Sequence, residues 1–354
     1  MSKSFFRIAF FLVSLTLLGA QCISFNAGDA QGAAGGVFKS VRKGDQWQHV
    51  VAILTSVGVK NFGGANVTAF AIDPQDHLAV YAGTRENGMF YSFDGAASWQ
   101  QPKTKELATG TVAAIAIDPR NKCTVYAATG NRIMKSTDCN RSFELIDNES
   151  APLTSVSALT ISPINSRTLY AGTSKGAIIK SMDGGDTWSI LANVRNKVVD
   201  LVVDPRVPST VYAAISGRGV WRSIDDGKTF SDMTNNLKSV KDGKEVRRLL
   251  IDSATPGALL LASKYKISRS LDGGVTWSAL PIRSPETVDI FSLAVNPKNS
   301  KEIYYGTATT FYRSLDGGMQ WSADKLPTKR IASALLVDPE VSETIYLGVL
   351  EAAK

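Results

Sequence analysis

The chain has 354 residues, 44% hydrophobic and 20% charged, with 29 glycines and 13 prolines. That balance excludes a disordered chain and a polytopic membrane protein. The formal charge of +7 is mild, permitting an anionic partner without demanding one.

Residues 1–21 read as an export signal. Lys3 and Arg7 give a positive start, and residues 8–20 are apolar apart from Ser14 and Thr16. Such a run, roughly 13 residues, is too short to span a bilayer and suits a signal peptide. Without it the charge is +5, from 37 basic and 32 acidic residues. Gly19, Ala20, Gln21 and Cys22 resemble a bacterial lipobox, whose cysteine is lipidated. Gly stands where Leu is usual and Gln where a small residue is usual; the alternative is plain cleavage near Ala20. Residues 22–35 read as a flexible tether. The expected location is the cell envelope, periplasm or surface, with the protein held to the membrane through Cys22.

From residue 36 the chain repeats itself. The segment Ser-x-Asp-x-Gly-x-x-Trp starts at Ser92, Ser136, Ser181, Ser223, Ser270 and Ser314. Its aspartates are Asp94, Asp138, Asp183, Asp225, Asp272 and Asp316, spaced 44, 45, 42, 47 and 44 residues apart. A second motif keeps phase with it: an apolar strand ending in Asp-Pro or a variant, then a Tyr-Ala-Gly-like strand beginning seven residues after the Asp position. Asp73 leads to Val80, Asp118 to Val125, Asp204 to Val211 and Asp338 to Ile345, with weaker copies from Ser162, Asp252 and Asn296. The strands are short and rich in Val, Ile, Ala and Tyr, bounded by turn formers.

There are seven strand pairs and six clear boxes. The seventh box stands alone at the start, from Ser40 to Trp47, with Arg42 in the Asp position. The chain therefore begins with the outer half of a unit and ends with the inner half. Joining residues 36–57 to residues 331–349 closes a ring of seven, about 45 residues per unit, the length of four strands plus turns. Each sheet exposes two apolar faces, and radial stacking with closure buries them all. The expectation is an all-β single seven-bladed β-propeller over residues 36–354, monomeric.

The box aspartates recur too regularly for a catalytic or metal site. Asp and Ser there satisfy backbone N–H groups of a turn, as Asx turns do. Five of the six tryptophans are box aromatics, hence scaffold; Trp221 lies outside. Cys123 and Cys139 face each other across a hairpin and are expected to form a disulfide, which suits an exported protein; the alternative is two free thiols. Only His49 and His77 occur, in no ligand spacing, so no metal and no cofactor are expected.

The repeats resemble the Asp-box, or BNR, propellers, a family that includes the photosystem II assembly factor propeller and sortilin-type, xyloglucanase-type and sialidase propellers. The assembly factor is the nearest of these in size and start. Sialidases carry an Arg-Ile-Pro motif that is missing here, xyloglucanases use two propellers, and glycoside hydrolysis needs a carboxylate pair that the sequence does not display. No catalytic residues are expected. The resemblance speaks for fold more than function.

Loops between blades, and between second and third strands, share the face opposite the boxes. Arg85, Arg132, Lys175, Arg218, Arg247, Lys264, Lys266 and Arg330 fall there, among scattered acids. They read either as a solvated loop surface or as a positive rim for an acidic protein segment or anionic glycan. Export disfavours nucleic acid. The expected function is a non-enzymatic binding or assembly module, with a glycan-binding or glycoside-hydrolysing propeller as the alternative.

Overall fold

The computed structural model describes residues 34–146, 154–240 and 242–352. The export signal, Cys22 and nearly all of the tether lie outside them. Ala34 and Gly35, the end of the tether, are already held in the fold: Thr328 donates to the Ala34 carbonyl at 2.7 Å and Gly35 N to the Gly63 carbonyl at 2.6 Å.

Seven antiparallel sheets form a propeller. Blade 1 holds strands Val67–Asp73, Asp76–Thr84 and Met89–Ser92. Blades 2 to 6 are four-stranded, with inner strands Val112–Ile117, Val156–Ile161, Val198–Val203, Val246–Ile251 and Ser292–Asn296. Blade 7 combines the two ends of the chain, in the order Gln48–His49, Gly36–Ser40, Ile345–Leu350, Ile331–Val337. Phe38 pairs with Leu347 in that ladder. The inner strand of blade 7 packs against those of blades 6 and 1, so the ring closes.

Closure follows the expected plan with one difference. The outer strands contributed by the start of the chain end at His49, not residue 57. Ala52–Thr55 and Gly58–Asn61 instead form a separate hairpin beside blade 1. Phe62 is the reason: it stacks on Phe90 at 4.1 Å and meets Trp99 edge-on at 5.4 Å. Trp99 donates its indole N–H to the Val50 carbonyl at 2.9 Å and its amide to the Ala52 carbonyl at 2.8 Å. The hairpin thus takes the outer edge of blade 1, whose own fourth strand shrinks to a bridge between Tyr91 and Gln100.

The core is seven clusters of buried side chains, one between each pair of neighbouring blades. Blades must approach closely to bury both faces, and this explains the glycine of the Tyr-Ala-Gly strands. A Cβ on Gly172 would lie 2.4 Å from Val198 of the next blade, and one on Gly348 would lie 2.5 Å from Val67. No side chain fits there.

Each box is a self-contained turn. In blade 3, Ser181 donates to Asp183 at 2.7 Å and accepts from Gly185 N at 2.8 Å. Asp183 accepts from the Thr187 amide at 2.9 Å and its hydroxyl at 2.5 Å. The same bonds hold Asp94, Asp138, Asp225 and Asp272; Asp316 accepts from Gln320 N. Without the aspartate, the first box keeps only the serine half, Gly44 N donating to Ser40 at 3.0 Å. All seven box serines are 1% exposed. Donors on the box carboxylates stabilise their charged form. The Ser142 and Thr229 donors hold Asp138 and Asp225 down to about 2. Cys123 and Cys139 are bonded, with Cα atoms 3.8 Å apart. Cys139 sits in its box at φ 59, in a position that glycine takes in other copies.

The boxes also latch blade to blade. Tyr126 and Lys135 of blade 2 both donate to the Gly184 carbonyl in the box of blade 3, at 3.2 and 2.9 Å. Tyr170 and Lys180 reach the Asp226 carbonyl, and Tyr346 and Lys39 the Gly95 carbonyl. Arg269 reaches the Gly317 carbonyl and Arg313 that of Lys43. The lysines lie over the tyrosine rings, and burial lowers the pKa of Lys39 and Lys180.

Candidate functional site

The turns between second and third strands, with the connections from one blade to the next, make the face opposite the boxes. Two of those connections carry short helices, Lys105–Ala108 and Thr234–Leu237. Side chains not needed for turns or core are free to vary here, which is where binding groups accumulate on a rigid scaffold.

The cations expected on this face differ in what they do. Arg85 and Lys175 are exposed and make no ion pair among the described residues. Arg132 lies 3.7 Å from Glu106, Arg247 3.4 Å from Asp289 and Lys266 2.6 Å from Glu286. Lys264 stands 4.9 Å from the Tyr265 ring centroid, whose neighbouring hydroxyl raises its pKa. Arg218 donates to the Val194 carbonyl at 3.3 Å and lies over Trp221. Arg330 is a structural clamp: its guanidinium donates to the Gly64 carbonyl at 3.1 Å and to Asn66 at 3.0 Å, tying blade 7 to the entry of blade 1. Exposed pairs of this kind contribute little to stability and leave the cations open to a competing acidic ligand.

Sequence reasoning missed one pair on this face. Asp200 and Arg248, on the inner strands of blades 4 and 5, meet at 2.7 Å, and Asp200 also accepts from Leu249 N at 2.9 Å. Burial raises the Asp200 pKa against the pull of Arg248. Aligned by pairing register, the other inner strands carry Ala69, Ala114, Ala158, Ser292 and Ala334 at this level. The pair is therefore the one charged contact at a level where the other five inner strands carry small residues. That contrast of Asp and Arg against five small residues was its signal in the sequence.

A depression of about 560 Å³ opens on the same face over blades 2 and 3, lined by Glu106, Gly110, Thr111, Ala113, Thr129, Gly130, Asn131, Arg132 and Ser155. It holds one carboxylate, opposite Arg132. No group of three or more His, Cys, Asp or Glu side chains arranged for a metal ion is found among the described residues. His49 donates from Nε2 to the Gly35 carbonyl at 2.7 Å, and His77 meets Asp338 at 2.9 Å.

Seven blades of in-phase Asp-boxes, latched through box carbonyls and closed by both ends of the chain, define an Asp-box β-propeller with one charged loop face. Residues 65–336 match the family model of the photosynthesis system II assembly factor YCF48, and the chain belongs to that family. Solved structures show the same fold. YCF48 bound to a D1 peptide is 17% identical with a TM-score of 0.62, over 80% of this chain and 93% of that one. YCF48 from Cyanidioschyzon merolae is 12% identical with a TM-score of 0.64, over 80% of this chain and 95% of that one. The GH74 xyloglucanase from Xanthomonas campestris is 17% identical with a TM-score of 0.68, over 86% of this chain and 52% of that one. The chain thus spans about half the length of that enzyme. No curated protein matches the sequence.

Proposed function

We propose that this protein is a non-enzymatic assembly module that binds a protein segment of acidic character on its loop face. The observation that carries the reading is the loop face itself, where Arg85 and Lys175 stand exposed with no ion pair among the described residues, and Arg132, Arg247 and Lys266 meet acids at the surface. The family supports a protein partner, since one YCF48 structure holds a D1 peptide. Positive loops on a rigid ring steer an acidic chain and fix its register. Export by residues 1–21 and attachment through Cys22 belong to the same proposal and place the module at the cell envelope.

A fluorescent acidic peptide tests the loop face. Anisotropy should rise on adding the protein, fall with salt, and stay flat for a lysine-rich peptide. Changing Arg85 and Lys175 to Glu together should abolish the rise. Equal binding by that variant refutes the assignment. Cys22→Ser should move the protein to the soluble fraction. Likeness to GH74 enzymes gives the alternative its own check: xyloglucan, sialosides and other glycans, anionic ones included, should be neither bound nor cleaved. Turnover lost on replacing one loop carboxylate would establish a hydrolase instead.

A further inference from the structure

Seventeen large hydrophobic side chains are exposed among the described residues. Twelve lie in the box turns or in the first-to-second-strand turns beside them, three on the hairpin at residues 52–61, two on outer strands, and none on the loop face. Single exposed apolar residues need no explanation. Their collection on one face, with none on the other, does.

Six occupy one repeat position, the residue between the box Ser and the Asp position: Val41, Phe93, Met182, Ile224, Leu271 and Leu315, each 44% to 68% exposed. The turn does not require an apolar residue there. Its bonds come from Ser, Asp and backbone, and blade 2 builds the same turn with Thr137. In four blades a second exposed apolar residue sits in the adjoining turn: Leu78, Ile164, Val207 and Val341. Backbone bonds tie those turns to the boxes of the same blades, as from Gly184 N to Arg167 O and Lys43 N to Glu343 O, both 2.8 Å. The result is a ring of apolar knobs around the box side of the channel.

We infer, against the monomer expected from the sequence, that this face is the interface of a two-fold dimer, with a second copy of the chain as occupant. Twelve side chains at about half exposure offer on the order of 1,000 Å² of apolar surface, against roughly 800 Å² per partner in a standard interface. The charges between the knobs are mixed. Asp183 and Asp186 outweigh Arg167 on blade 3, Asp225 and Asp226 balance Arg206 and Lys228 on blade 4, and Arg120, Lys122, Lys298 and Lys301 make blades 2 and 6 basic. A mixed-sign face can complement a rotated copy of itself, as an isologous contact requires. The box carboxylates, held ionised by their turns, disfavour an anionic bilayer as the occupant. Docking box to box also keeps the two cationic loop faces apart and leaves both open.

Sedimentation velocity of the full chain tests this. The protein should sediment with twice the chain mass and dissociate on dilution. Met182→Lys with Ile224→Lys and Leu271→Lys, all at exposed positions, should give a monomer with an unchanged circular dichroism spectrum. Arg85→Glu with Lys175→Glu should leave the dimer intact, which separates this result from the fate of the loop-face proposal. A protein monomeric at every soluble concentration overturns the inference, and so does a dimer that survives the triple change. Cosedimentation with phosphatidylcholine vesicles by a monomeric wild type, lost in the triple variant, would assign the knobs to a bilayer instead.

Discussion

The box face and the loop face are built from the same seven repeats, yet their polar side chains go to different ends. On the box face, Ser and Asp are consumed inside each turn, and even the turn carbonyls are taken by Tyr and Lys or Arg of the preceding blade. On the loop face, Arg132, Arg247 and Lys266 meet acids at the surface and Arg85 and Lys175 stand exposed, while Arg218 and Arg330 are held by backbone carbonyls. Repetition marks what the ring needs in order to close. Irregularity marks what it leaves available, and so a function borne by this fold is to be sought where the repeat fails.

The largest effect should come from breaking the ring on which both faces depend. A chain ending at residue 330 loses the two inner strands of blade 7 and strips Gly36–Ser40 of the Ile345–Leu350 partner. It also exposes the cluster around Phe38, Leu335 and Leu347. We expect an aggregated product without a cooperative melt, read by gel filtration and circular dichroism. A soluble, cooperatively melting product would mean that six blades suffice.

Two single changes in blade 3 set the faces against each other. Ser181→Ala leaves the buried Gly185 amide without its 2.8 Å acceptor and should cost about 1–3 kcal/mol. Lys175→Ala removes an exposed charge and should stay within about 0.5 kcal/mol. Guanidinium titrations of both variants decide it. Equal losses would mean that the loop face is also structural.

A smaller effect tests the latch between blades. Lys135→Met keeps the stem over Tyr126 and removes the 2.9 Å bond to the Gly184 carbonyl. The cost should be about 1 kcal/mol. Tyr126→Phe should cost less in the Lys135→Met background than alone or more, but not the same, because both groups share one acceptor. Strict additivity in the double-mutant cycle would show that the two bonds act independently.

Much of this was legible in the sequence. The phase of box and Asp-Pro strands fixes seven blades, and the orphan box at Ser40 fixes how they close. The latch was there to be read as well: Lys39, Lys135, Lys180, Arg269 and Arg313 each directly precede a box serine. Its meaning was hidden because the acceptor lies in the next blade, 46 to 56 residues away in three of the cases. The hairpin at residues 52–61 was read in part, up to residue 57, as outer blade strand, because the half-repeat at the start of the chain needed two strands; the stacking of Phe62 on Phe90 decides otherwise. Arg330 looked like a rim cation. Its partners, Gly64 and Asn66, come from the opposite end of the chain, and no local pattern announces them. The pairing of Arg248 with Asp200, 48 positions apart, left only an indirect mark in the sequence, a charged residue where five other inner strands carry a small one.

The smallest effect expected is a difference in the sign of pH dependence between the two faces. The box acids have folded pKa values below the unfolded value of 3.8, at about 2 for Asp138 and Asp225. Their stabilisation is fully present above the unfolded pKa, because there the carboxylates are charged in both states and keep their donors in the fold. Below it the unfolded chain takes up protons first, so stability is lost as pH falls through the window from 3.8 towards about 2. Asp200 runs the other way. Burial raises its folded pKa, so within its window the folded state holds a proton that the unfolded state has released. Acidification through that window therefore adds stability. Melting temperatures taken from pH 7 downward should hold or rise slightly before falling below pH 4. In Asp200→Asn the early rise should vanish while the acid fall remains, and in Asp138→Asn with Asp225→Asn the fall should shrink while the rise remains. If Asp200→Asn alters the fall below pH 4 instead, the two faces titrate as one system, and the division between a structural side and an available side does not extend to their charges.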